Sequence, residues 1–261
     1  MTQPEIFWNG VIMMKANKIS LVFKKAPFPA IMTIICFALF IAVYLFMTVT
    51  AIEPYYFEGL LFAVPFVCFG VITFFTVTGK LRIAASFVIS SILIVVLGLA
   101  AVFTFVFIAC DAATTETTDI SKYERVLKLT GYPNNPLTKY FPDKIPNNAK
   151  NSVFEYNPAF AQGGENFDLK FEADSDSMKN YMDEFSRKAK WIGISSDSEA
   201  ENNGIFSSTF TVIGYTDLPK DFTIYLIDSK PYHTRNWNHG RISLAAISRQ
   251  RNEIIFHAEN W

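Results

Sequence analysis

Cysteine is scarce in this chain of 261 residues, which has only Cys36, Cys68 and Cys110. Cys36 and Cys68 fall inside long apolar runs and read as small packing residues. The polar C-terminal part therefore has no internal disulfide and must hold together by burial. Charge is missing from three runs, Ala30 to Ile52, Gly59 to Thr78 and Ile83 to Ala109, none of which contains Asp, Glu, Lys, Arg or His. Proton relays and ion paths need such groups within the membrane, so transport is disfavoured. Histidine is also rare, with His233, His239 and His257 alone. Gly-x-Ser-x-Gly, a Walker loop, His-Glu-x-x-His and paired cysteines are all absent, and with them the common carriers of hydrolysis, phosphoryl transfer and zinc chemistry. No spacing of carboxylates singles out an acid/base pair. The residues indicate no enzyme, cofactor, metal or nucleic-acid partner.

What is present divides the chain in two. Each apolar run is long enough to cross a hydrocarbon core, for which about 20 residues suffice. The predicted organisation is a cytoplasmic arm over 1–29, a three-helix transmembrane region over 30–109 (30–52, 59–78 and 83–109), a linker over 110–118 and an α+β domain over 119–261. Pro65 is expected to kink the second span. Small-residue pairs, Ala38 with Ala42 and Ser86 with Ser90, offer points of close helix approach. All six Lys and Arg before Asp111 lie at Lys15, Lys18, Lys24, Lys25, Lys80 and Arg82, whereas the short turn Glu53 to Glu58 carries only acids. That distribution places the N-terminus in the cytoplasm and, after three crossings, the C-terminal domain outside. In the arm, Phe7, Trp8, Val11, Ile12 and Met13 precede four lysines and suit a membrane surface. Phe107-Ile-Ala-Cys110 faintly echoes a lipoprotein cleavage box, but the run is too long and too far into the chain for a signal peptide, so Cys110 is expected to be unmodified.

The exported part reads as α+β with a mainly antiparallel sheet. Ser121 and Glu124 fit a capping box for a helix from about Ile120 to Thr130, stopped by Gly131 and Pro133. Pro133 to Pro146 is expected to be an ordered loop lying on the domain. A second helix is expected from Ser177 to Lys190, capped by Asp176, with Met178, Tyr181, Met182, Phe185 and Ala189 facing the core. Strands are expected at Ser152–Asn157, around Phe167 to Phe171, and near Ile205–Tyr215, Phe222–Asp228, Arg241–Ser248 and Glu253–Asn260. On this reading His257, alternating with Phe256 and Ala258, faces solvent.

Two loops are the candidate binding residues. Phe160, Gln162, Gly163 and Gly164 offer an aromatic face, an amide and two glycines suited to a turn or to close approach of a ligand. The loop Tyr232-His-Thr-Arg-Asn-Trp-Asn-His-Gly240 holds His233, Trp237 and His239, but no third ligand near in sequence completes a metal set. Tyr140-Phe-Pro-Asp-Lys-Ile-Pro146, Phe154-Glu-Tyr-Asn-Pro158, Phe160-Ala-Gln-Gly-Gly164 and the ending Ser248 to Trp261 resemble a group of uncharacterised membrane-anchored proteins of Gram-positive bacteria. The resemblance implies a bacterial cell-membrane location with an external domain and carries no catalytic residue. The expected function is a membrane-anchored envelope protein displaying a binding domain, its partners the lipid bilayer and an envelope protein, peptide or cell-wall component. The alternative is an accessory or immunity-type membrane subunit acting through its helices, and less favoured still is an enzyme with an unfamiliar external site.

Overall fold

The computed structural model describes residues 19–160, 164–195, 210–211, 213–216, 219–230 and 240–261. Two compact units divide between Cys110 and Asp111. The first is helical. Its helices are α1 (Pro27–Thr50), α2 (Tyr56–Leu60) and α3 (Ala63–Val77), together with α4 (Ile83–Thr114), which continues past the unit boundary. By length and composition three stretches can cross a membrane: α1, α2 with α3, and α4.

The second of these stretches is interrupted where Pro65 is expected to act, at Leu61 and Phe62, four and three residues before it. Pro65 itself lies in the first turn of α3, where a missing N–H costs nothing. α4 overruns the expected end of its span, continuing through Cys110 and Asp111 to Thr114. Of the small-residue pairs, Ser86 and Ser90 are the buried residues of α4, whereas Ala38 and Ala42 are exposed. Thr33 and Thr73 bring their hydroxyls within 3.3 Å across α1 and α3. A cavity of about 340 Å³ lies among α1, α3 and α4, with apolar walls that include Met32, Phe40, Phe69, Gly98 and Phe105.

The second unit is built on a six-stranded sheet in the order β1-β2-β6-β5-β4-β3, with every neighbouring pair antiparallel. The strands are β1 (Lys150–Asn157), β2 (Glu165–Glu172), β3 (Trp191–Ile194), β4 (Thr223–Lys230), β5 (Arg241–Ser248) and β6 (Glu253–Asn260). The helices are α5 (Tyr123–Leu129), preceded by a 3₁₀ turn at Ile120–Lys122, and α6 (Ser175–Lys188). Both caps differ from the expected ones. Asp119 accepts from the Ser121 amide in place of a Ser121–Glu124 box, and Asp174 rather than Asp176 accepts from the Ser177 amide. In each case the acidic residue two places earlier has extended backbone, which an N-cap requires.

One face of the sheet carries Phe154, Phe167, Phe171 and Phe256, closed over by Tyr123 of α5, Phe141 of the 133–146 loop, and Phe185 of α6. That loop is ordered as expected, with the Tyr123 hydroxyl donating to the Pro142 carbonyl at 2.5 Å and Ser243 Oγ donating to the Leu137 carbonyl at 2.7 Å. The opposite face is also a core. There Ile224, Ile242, Leu244, Ala246 and Ile255 pack with Phe210, Ile213 and Phe222. The described part of the strand expected at Ile205–Tyr215 is not extended: Phe210 and Thr211 are helical and a turn follows, closed by Tyr215 N–H donating to the Phe210 carbonyl, with Gly214 at φ +92°. Tyr215 is clamped between Lys170 and Arg251, whose charged groups lie 4.9 and 5.6 Å from its ring centre.

Candidate functional site

Sheet pairing gathers a polar group on the second face, toward the β1–β2–β6 side. Glu155, Asp168 and His257 form one rung across β1, β2 and β6, and Asn157, Asn166 and Glu259 form the next. Alternation puts all six side chains on the face of Leu244 and Ile242, which stand opposite His257 and Glu259 on β5. Asp168 is fully buried and His257 is 1% exposed, so His257 does not face solvent. The expectation fails because the second face is covered too at the position of His257.

Burial of two ionisable groups is tolerated only when they are paired. Asp168 Oδ1 lies 2.7 Å from His257 Nδ1. The other ring nitrogen, Nε2, faces Glu259 Oε2 at 3.6 Å, beyond hydrogen-bond reach. Nε2, Asp168 Oδ2 and Asn166 Oδ1 are buried with no hydrogen-bond partner. Burial opposes a charged imidazole, but the carboxylates of Asp168 and Glu259 outweigh it and hold the His257 pKa up at about 9. Burial raises the Asp168 carboxyl, while His257 draws it back down. We take the imidazolium–carboxylate pair as the state near neutral pH, because both ring nitrogens are turned to carboxylates. An Asp-oriented His resembles a general base in geometry, yet here its second nitrogen meets a carboxylate rather than a hydroxyl or thiol, and solvent does not reach it. Among the described residues no three His, Cys, Asp or Glu side chains come together as a metal set.

Of the residues expected to bind, Phe160 is exposed and Gly164 half-buried, whereas Gln162, Gly163, His233, Trp237 and His239 lie outside the described residues. The positive φ expected of the glycine pair does not apply to Gly164. It is needed for close approach, since a Cβ there would sit 2.6 Å from the Asn260 carbonyl. Gly240, which ends the other loop, exchanges two backbone hydrogen bonds with Trp261 and leaves room for its ring. The ends of both loops thus meet at Trp261, at the same end of the sheet as Glu259. The chain matches no protein-family model, no curated protein and no solved structure.

Proposed function

We propose that this chain is an envelope protein of the bacterial cell membrane, held by three spans with its N-terminus in the cytoplasm, that displays the sheet domain outside to bind a protein, a peptide or wall material. The observation that carries the reading is the division at Cys110 into a unit of uncharged apolar helices and a sheet unit with a core on each face. A domain closed on both faces needs no disulfide and no second chain to fold. The meeting of Gly164 and Gly240 at Trp261 supports one binding end built from the loops after β1 and after β4, since binding residues concentrate on loops held by a rigid scaffold. The Gram-positive resemblance is consistent with this placement and names no ligand.

The accessory-subunit reading has one observation in its favour, the apolar cavity among α1, α3 and α4. The two separate by experiment. A soluble fragment of residues 115–261 is expected to fold alone and to capture the same envelope component that crosslinks to the full protein in native membranes. Capture by the full protein but not by the folded fragment would transfer the function to the helices.

A further inference from the structure

We propose that His257 Nε2, the Glu259 carboxylate and the Asn166 side-chain carbonyl form a site for a zinc-class divalent cation, with Asp168 as the positioning residue behind the imidazole. A histidine that ligates metal through one nitrogen characteristically gives the other N–H to a carboxylate, which fixes the ring and raises its basicity. Asp168 stands in that position, 2.7 Å from Nδ1. The opposite nitrogen is buried, has no hydrogen-bond partner, and is aimed at Glu259. Its separation of 3.6 Å from Glu259 Oε2 is long for a hydrogen bond. It is close to the spacing of two ligands on one tetrahedral zinc, about 3.3 Å for bonds of roughly 2.0–2.1 Å. A small rotation of Glu259 closes the difference, and its side chain is 32% exposed and so has room to move. Asn166 pairs with Glu259 across β2 and β6, and its Oδ1 is a buried acceptor with no donor.

The charge balance favours the same class of occupant. Among the described residues, Glu155, Asp168 and Glu259 share this face with one imidazole, and the nearby cations have other partners: Lys170 the Ile213 carbonyl and Tyr215, and Arg251 of the β5–β6 turn Asp221. One nitrogen and two oxygen donors suit zinc better than magnesium or calcium, which take oxygen-only shells and more of them. Binding exchanges the Nε2 proton for the metal, and that proton leaves to the buffer.

The test uses the full-length protein in detergent, stripped of metal by a chelator and titrated with zinc chloride alone, by calorimetry in two buffers of different ionisation enthalpy and by melting temperature. The expected result is one zinc per chain with release of a proton and a rise in melting temperature, and no such rise with magnesium chloride. Glu259→Gln, which also removes one of the two carboxylates facing the His257 ring, is expected to melt somewhat lower than the wild type without metal, and to bind zinc at least tenfold more weakly with a correspondingly smaller zinc-dependent rise. Asp168→Asn is expected to weaken binding by about 10–100-fold, the usual effect of losing such a partner. His233 and His239 remain in Glu259→Gln, so any zinc they hold is common to both proteins. Zinc affinity unchanged by Glu259→Gln, a magnesium response equal to that of zinc, or no zinc-dependent shift at all would overturn the proposal.

Discussion

At the scale of single residues, the sheet domain turns on one buried ion pair. His257 has an ordinary value of 6.5 and is held at about 9 in the folded chain. A raised histidine adds stability that is complete below the unfolded value and disappears as pH rises through the folded one. Without added metal, stability should therefore fall between pH 6.5 and 9, by on the order of 3 kcal/mol if the whole shift is realised. His257→Gln alone leaves Asp168 buried without its counter-charge and should cost roughly 3–5 kcal/mol. The double variant His257→Gln, Asp168→Asn should recover part of that and lose the pH dependence. Denaturation of the three proteins across this range, followed by near-ultraviolet circular dichroism, checks both points. A double variant that keeps the wild-type slope would show that other groups set it. The pair was hidden in the sequence because Asp168 and His257 occupy the alternate positions of strands that read as half-exposed. The available signal lay on β5, where Ile242 to Ile247 is apolar or small throughout. Such a run marks a strand buried on both faces, and its neighbours inherit that burial.

At the scale of elements, periodicity was enough where the period was sustained. β5 and β6 fall where alternation and the tight turn Arg249–Asn252 place them, and Asn252 takes the left-handed conformation, at φ +56°, that such a turn uses. β3 was not foreseen. It is only Trp191–Ile194, and its pattern is interrupted by Gly193, which sits beneath the Trp191 ring. The helix ends were misplaced by about two residues because several Asp and Ser residues compete for each cap, and only backbone conformation chooses among them. Asp174 caps α6 through the Ser177 amide, which holds its carboxyl below the usual range. Asp174→Ala should lower the melting temperature by roughly a few degrees, whereas Asp176→Ala should change it much less. Equal effects would mean that dipole charge, which both acids supply near the helix start, matters more than the cap.

At the scale of the whole molecule, the division into an apolar helical part and a polar domain was the most legible feature. It depends on composition summed over long windows, where local errors cancel. The loop end proposed for binding was only half legible: the glycine pair marked one loop and the His and Trp residues the other, but that both loops end at Trp261 depends on strand order, which no local pattern encodes. The outward display proposed for the domain rests on the basic residues at Lys15 to Lys25, Lys80 and Arg82 against the acids of Glu53 to Glu58. Protease added to intact protoplasts measures it most directly. Digestion of the chain beyond Cys110, with Lys15 to Lys25 protected until the membrane is opened, is the expected result; a protected C-terminal domain with cleavage at Lys15 to Lys25 would contradict external display.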